Sequence, residues 1–233
     1  MLVFGGNGFV GSHICQTAVE NGLRVVSVSR SGRVPEKLAQ AGVVAAKGDI
    51  WDPASYRELL QQGVRGVVSC VGAFGSQEHM ERECGGANVV AAEECSTHSG
   101  VELFAFVSAH RYKHPPPFMA GYYRGKAQAE EAIQQQFGAA RSLVLRCPFI
   151  YGRRQLGPVW VPLQMIGLPL ELLGWSAAAR KAVAVAPWLD LLLTPPVAAT
   201  AIARLVVASM QSGTPRGVLD VFEMQAALER MKT

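Results

Sequence analysis

Gly5, Gly8 and Gly11 are spaced G-x-x-G-x-x-G between a short apolar run, Leu2 to Phe4, and a stretch with apolar residues at helical spacing, Phe9 to Glu20, which Asn21-Gly22 stops. Strand, tight turn and helix follow one another with nothing between, which restricts the chain to folds that set a helix N-terminus just beyond the end of a buried strand. Gly5 permits the turn, Gly8 lets backbone approach a pyrophosphate, and Gly11 lets the helix lie close to the strand. The opening turn of the helix, Phe9, Val10 and Gly11, then offers N–H groups and the positive end of the helix dipole to phosphates.

The alternation continues along the chain. Arg24 to Val28, Val43 to Ala46, Gly66 to Val71, Leu103 to Ser108 and Ser142 to Arg146 read as strands. Pro35 to Ala41, Pro53 to Gln62 with Asp52 as cap, His79 to His98 and Met119 to Phe137 read as the helices between them. Strands apolar on both faces, alternating with helices, require a parallel sheet covered on both sides and joined by right-handed crossovers. The expected fold is α/β, a doubly wound parallel sheet of Rossmann type with a small C-terminal substrate lobe. After Tyr151-Gly152 the rhythm breaks into a region rich in Pro, Gly, Leu and Trp that runs to Leu193. Thr194-Pro195-Pro196 is expected to open a helix through Met210 with Thr194 as cap, Gly217 to Phe222 to form a last strand, and Glu223 to Met231 a last helix. Residues 1–154 are thus expected to form the nucleotide-binding domain, and 155–233 a lobe that completes the fold without standing alone.

At 233 residues and 49% apolar the chain can bury one sizeable core. Its net charge of +4 is spread without a run of five or six like charges, so no nucleic-acid groove is expected. The five cysteines, Cys15, Cys70, Cys84, Cys95 and Cys147, are odd in number and form no C-x-x-C pair, which argues against a disulfide framework and a zinc site. His110 and His114 have the spacing of a helical metal pair, but Pro115-Pro116-Pro117 follows at once and makes a loop, so no metal is expected. The glycine turn stands so near the first residue that no signal peptide, transit peptide or membrane segment is expected in front of the fold.

The end of the second strand bears on the cofactor. An NAD enzyme usually places an acid there to hold the adenosine ribose, yet no Asp or Glu lies between Glu20 and Glu36. Ser29-Arg30-Ser31-Gly32-Arg33 stands there instead, and a guanidinium with neighbouring hydroxyls suits a 2′-phosphate, which favours NADP over NAD. Tyr122 and Lys126, in the stretch GYYRGK, share one helix face, where an ammonium would lower the phenol pKa toward the working range of an acid-base group. Ser108, at the end of the fifth strand, could hydrogen-bond the same substrate oxygen. Tyr123 has no lysine at that spacing and is assigned to packing or the substrate wall. Arg111, Tyr112, Lys113 and the three prolines form a stiff rim with a basic face.

Together GGNGFVG (5–11), KGDIWD (47–52), SCVGAFG (69–75), FVSAH (106–110), YYRGK (122–126) and LRCPFIYG (145–152) resemble the short-chain dehydrogenase/reductase superfamily, in its extended or atypical branch. VFGGNGFVGSHIC (3–15), SVSRSG (27–32), VVSCVGAFGS (67–76) and TPPV (194–197) followed by GVLDV (217–221) are similar to a mitochondrial subgroup of plant homologues, a fungal coenzyme Q assembly protein and, more distantly, the dehydrogenase-like accessory subunit of respiratory complex I. The resemblance implies that Asp49 and Ile50 flank the adenine, that Val71 and Gly72 line the middle of the cofactor, and that Pro148 to Ile150 lie near the nicotinamide. It also implies a mitochondrial home, with a plastid as alternative. The superfamily's asparagine in the fourth long helix is absent from residues 76–84; Asn88 lies downstream, and Cys84 or a neighbour takes its place. Two functions are expected from different classes: NADPH-dependent oxidation or reduction of a hydrophobic, quinone-related or isoprenoid carbonyl or alcohol in ubiquinone biosynthesis, and non-catalytic cofactor binding in the assembly of a mitochondrial complex. A nucleotide-sugar epimerase is a distant third. Leu168 to Leu193, with Trp175 and Trp188, could wall a greasy pocket or touch a membrane surface, and peripheral membrane or multi-protein complex association of the protein is expected from these readings.

Overall fold

The computed structural model describes residues 1–156, 159–162, 176 and 193–232, with side chains described outside 153–162. The expectations for Leu168 to Leu193, with Trp175 and Trp188, therefore fall almost wholly outside the described residues. Seven strands form the main sheet: β1 (Leu2–Phe4), β2 (Val26–Ser29), β3 (Val44–Lys47), β4 (Gly66–Ser69), β5 (Leu103–Ala109), β6 (Ser142–Cys147) and, late in the chain, Gly217–Leu219. All the pairings are parallel, and the last strand lies at the edge beyond β6, so the spatial order is last strand, β6, β5, β4, β1, β2, β3. The order reverses at β1, whose two neighbours are β2 and β4.

Period-two alternation explains why the strands read as continuously apolar. Val3, Leu103, Ala105, Leu143 and Leu145 join one core cluster, while Leu2, Phe4, Phe104, Phe106 and Val144 join the other, on the opposite face. The first face is covered by α1 (Phe9–Glu20), by Leu38 of α2 (Glu36–Gln40), and by two helices near the C-terminus, Ala199–Ser212 and Val221–Arg230. The second is covered by α3 (Arg57–Gln61), α5 (Ala87–Ser96) and α6 (Ala120–Phe137). Residues after 193 thus build the same doubly wound unit as the N-terminal part. Two small pairings lie outside the main sheet: β7 (Ile150–Tyr151) runs parallel to β10 (Val197–Ala198), and β8 (Arg153–Leu156) antiparallel to β9 (Val159–Pro162). Among the described residues no helix is long and apolar enough to cross a membrane.

Several local expectations give way to tertiary structure. The Thr194 helix begins only at Ala199, because Pro195 and Pro196 disfavour helical backbone in the residues before them and Val197 donates its N–H to the Phe149 carbonyl at 2.9 Å. The late strand (β11, Gly217–Leu219) stops short of Phe222, since Asp220 accepts from Phe222 and Glu223 and forms a capping box with Glu223 that starts the final helix at Val221. Asp52 precedes a 3₁₀ turn, Pro53–Ser55, without capping it through its side chain, and α3 proper begins at Arg57. The long helix expected from His79 to His98 is α4 (Gln77–Glu81), a π-helical segment (Arg82–Gly86) and α5 in succession. Gly85 lies at this π segment, and a Cβ there would stand 2.9 Å from the Gly125 Cα, so the two helices cross at glycine on glycine.

Candidate cofactor and active site

A doubly wound sheet binds ligands beyond the carboxyl ends of its strands, where the strand order reverses. Here that crevice lies between the ends of β1 and β4. Gly5 adopts left-handed backbone (φ +76°) and turns against Cys70 at the end of β4. A Cβ on Gly11 would run into the Gly5 carbonyl oxygen, so α1 can approach the turn this closely only with glycine at that position. Gly8 caps α1 with no side-chain hydrogen bond, and no acidic residue stands in the first turn. The opening of α1, including Val10 and Gly11, is thus left without a side-chain cap or a repelling carboxylate, and the cradle fits a pyrophosphate. Phe9 turns its ring edge-on to His13 (5.3 Å) and lies beside Gly152.

At the other end of the crevice, Ser29 closes β2 and pairs in register with Lys47. Ser29 Oγ donates to the Arg33 carbonyl at 3.2 Å and Asn7 Nδ2 to the same oxygen at 2.7 Å, which pins the turn carrying Arg30 and Arg33. Both arginines and Lys47 are exposed around it. Lys47 is a cation the sequence reading passed over, although a basic residue closing the third strand beside Ser29 was there to be seen. Gly48 N–H donates to the Ser29 carbonyl at 3.0 Å, so Asp49 and Ile50 follow on the same edge. The Asp49 carboxylate accepts from Trp51 N–H (3.1 Å) and its own N–H donates to Ser55 Oγ (2.9 Å), forming a closed turn.

Lys126 is buried on α6. Its Nζ donates to the carbonyls of Val71 (3.1 Å) and Val107 (2.8 Å) and stands 4.5 Å from the Phe106 ring centre. Burial pulls its pKa below the ordinary lysine value, with nearby cysteines and Glu130 opposing that shift. Gly72 is adjacent, since a Cβ there would sit 3.4 Å from both Lys126 Nζ and Cys84 Sγ. The lysine is therefore fixed to the ends of β4 and β5.

Tyr122 is placed differently from the expectation for its chemistry. Its ring stacks on Phe74 (5.4 Å, 17°), its centre lies 5.9 Å from Lys126 Nζ, and its hydroxyl makes no hydrogen bond among the described residues. Burial raises the phenol pKa, with neighbouring cysteines and tyrosines adding to the rise; the ammonium does not lower it in this state. The expected phenolate-favouring pair is thus corrected to a phenol held in its protonated, proton-donating form.

Ser108 is corrected more sharply. It faces α6, but its hydroxyl donates to Glu130 Oε1 at 2.5 Å, inside a buried cluster with Arg146 and Arg111. That proton is already committed to a carboxylate. Glu130 was missed in the sequence, although its spacing from Lys126, Ile133 and Phe137 puts it on the buried stripe of α6, where a carboxylate needs partners. Arg146, inside the apolar run of β6, was the matching signal.

Asn88 is fully buried at the start of α5 and well bonded. It accepts from Ser69 Oγ at 2.5 Å and donates to the carbonyls of Cys84 (2.9 Å) and Val71 (3.3 Å). Cys84 itself exchanges weak hydrogen bonds with Ala73 backbone at 3.4 Å. Pro148 and Ile150 flank exposed Phe149 at the end of β6, where Ile150 enters the β7–β10 pairing.

A family model described as NAD(P)H-binding matches residues 5–146. A protein of Arabidopsis thaliana described as uncharacterized and chloroplastic is 36% identical over the whole of this chain and 78% of its own length. The decarboxylating sterol-4-alpha-carboxylate 3-dehydrogenase of Dictyostelium discoideum is 25% identical over 66% of this chain, which spans about half (54%) of that enzyme. Among solved structures, the UDP-glucose 4-epimerase of Thermotoga maritima, determined with UDP-glucose, superimposes with a TM-score of 0.64 over 94% of this chain and 75% of its own. At 18% identity that likeness shows the fold alone.

Proposed function

The chain belongs to the NAD(P)H-binding family, within the atypical branch of the short-chain dehydrogenase/reductase superfamily, and from that premise we propose that it is an NADPH-dependent oxidoreductase acting on a hydrophobic carbonyl or alcohol. The observation that carries the reading is the fixed turn of α6: Lys126 is anchored to the carbonyls ending β4 and β5, and Tyr122 stands one turn before it at the sheet edge where such folds bind ligands. When bound, the nicotinamide supplies or accepts the hydride. Gly5, Gly8 and Gly11 make room for the pyrophosphate, and Arg30, Arg33 and Lys47 would meet a 2′-phosphate. Tyr122, protonated at neutral pH, donates to the substrate oxygen in reduction once its ring leaves Phe74, which is itself 74% exposed.

Hydrophobicity of the substrate is supported by Phe74, Phe118 and Phe149, exposed in the segments that follow β4, precede α6 and follow β6, and by the sterol substrate named for the Dictyostelium enzyme. Whether that substrate is quinone-related or isoprenoid is part of the proposal, as is a role in ubiquinone biosynthesis. The chloroplastic plant relative supports an organellar home; the mitochondrial assignment rests on the subgroup resemblance carried by the N-terminal and C-terminal motifs together. Fluorescent fusions of the full gene product decide between the two compartments.

The test is Tyr122→Phe. NADPH binding, followed by fluorescence, should stay within about twofold while turnover of a quinone or isoprenoid ketone falls by about a hundredfold or more, the scale of a lost general acid. Unchanged turnover refutes the assignment. A second reading, a cofactor-binding assembly factor without turnover, is favoured by the stacking of Tyr122 on Phe74. Full restoration of complex assembly by Tyr122→Phe in a null background, with cofactor binding intact, would establish it.

A further inference from the structure

Glu130, buried one turn beyond Lys126, is one carboxylate held by two guanidiniums. Arg146 grips it as a fork, with Nε at 3.0 and 3.2 Å and Nη2 at 2.7 Å, and Ser108 Oγ takes a further lone pair at 2.5 Å. Those contacts already give the carboxylate a full charge partner and good geometry. Arg111 adds a single N–H, Nη2 at 2.8 Å, and its side chain is 58% exposed. Two positive charges, Arg111 and Arg146, against one negative, Glu130, leave the cluster at +1. Lys126 is met by two carbonyls and no carboxylate, so it offsets none of this excess.

The surplus charge faces a cavity of about 260 Å³ whose walls include Arg111, Tyr112, Pro115, Tyr123, Lys126 and Glu130. Tyr123 stands edge-on to Tyr112 (6.1 Å) and to Tyr122 (5.3 Å), and its hydroxyl makes no hydrogen bond among the described residues. Sites for drug-sized ligands begin at about 300 Å³. The space therefore suits a head group better than a whole lipid.

We propose that this cavity is a subsite for a carboxylate on the substrate, gripped by the unused N–H groups of Arg111 and the hydroxyl of Tyr123, with Arg146 keeping Glu130 neutralised so that Arg111 is released to the ligand. The assignment rests on the Tyr122–Lys126 turn being the reacting end. It narrows the substrate class to hydrophobic acids carrying the carbonyl or alcohol close to the carboxylate, because Tyr122 and Tyr123 are consecutive.

Dodecanoate and its methyl ester, neither of which can be reduced by hydride transfer here, are titrated calorimetrically into the protein with and without NADPH. The acid should bind about tenfold or more tightly than the ester, the scale of one charge-assisted hydrogen-bonded pair. Arg111→Gln should abolish that preference and Arg111→Lys restore part of it. Equal affinity for acid and ester, or a preference that survives Arg111→Gln, overturns the subsite. If Arg111→Gln proves unstable, Tyr123→Phe decides instead: a weakened hold on the acid but not the ester supports the subsite, and no change overturns it. Because this readout is binding, acid preference without any turnover would refute the proposed reaction alone, and turnover without acid preference would refute the subsite alone.

Discussion

Replacing Glu130 by Gln removes the one negative charge from a cluster that ties α6 to β5 through Ser108, to β6 through Arg146 and to the rim through Arg111. Breaking a fully buried pair by removing one partner costs about 3–5 kcal/mol, because the other charge stays desolvated. Glu130 is 3% exposed, but the side chains it leaves behind are not equally sealed, Arg146 being 25% and Arg111 58% exposed. Both guanidiniums can recover some hydration, which brings the expected loss to about 2–3 kcal/mol. For a chain of this size that corresponds to a fall in Tm of about 5–10 °C. Urea unfolding followed by circular dichroism measures it, with Arg111→Gln as the internal control, expected to cost about 1 kcal/mol or less because that guanidinium is half in solvent. A loss below about 1 kcal/mol for Glu130→Gln would refute the claim that the carboxylate is the hub on which these elements meet.

Gly11→Ala should weaken NADPH binding by about tenfold or more, measured by fluorescence quenching, since its Cβ forces α1 away from the Gly5 turn. Arg30→Ala and Lys47→Ala should each weaken NADPH more than NADH, and equal effects on both cofactors would sink the 2′-phosphate assignment. Glu94, hydrogen-bonded to Arg57 at 2.7 Å and to His98 at 3.1 Å, has its pKa lowered to about 2, chiefly by the Arg57 hydrogen bond. A depressed carboxylate contributes stability that is present above its unfolded pKa of about 4.5 and is lost as pH falls from there toward about 2. Urea midpoints measured across that window should fall with acid in the native protein, and less steeply in Glu94→Gln.

The order of elements was legible because it rests on local signals that tertiary packing reinforces. The glycine triplet, the doubly apolar strands and the helical periodicity of α6 all point to one architecture, and the seven strands of the main sheet lie within a few residues of their expected places. What failed were boundaries set by long-range partners. Ala199 starts its helix late because Val197 is bonded to Phe149, a residue nearly fifty positions earlier whose approach no local pattern announces. Within the site the same division holds. Gly5, Gly11 and Lys126 were readable from type and spacing, whereas the loss of Ser108 to Glu130 required knowing that β5 and α6 face each other at that level. The sequence did contain a hint, a carboxylate on the buried stripe of α6 and an arginine inside β6, but only their joint burial turns those letters into a pair.

The missing asparagine of the fourth helix acquires a physical answer in the Val71 carbonyl. That oxygen accepts from Lys126 Nζ at 3.1 Å and from Asn88 Nδ2 at 3.3 Å, so the lysine and a downstream asparagine meet on one backbone atom at the end of β4. Asn88 stands just after the π-helical segment that ends at Gly86, and the same amide also donates to the Cys84 carbonyl at 2.9 Å. Ser69, bonded to the other end of that amide, fixes its orientation. A carbonyl with two lone pairs can serve both donors, and Val107 supplies the lysine's other acceptor. The lysine is thus held by backbone carbonyls of two adjacent strands, with Asn88 bracing one of them from α5. Lys126 is thus seated without an asparagine among residues 76–84, and in the proposed reaction the freedom of Tyr122 to turn away from Phe74 is the step on which turnover depends.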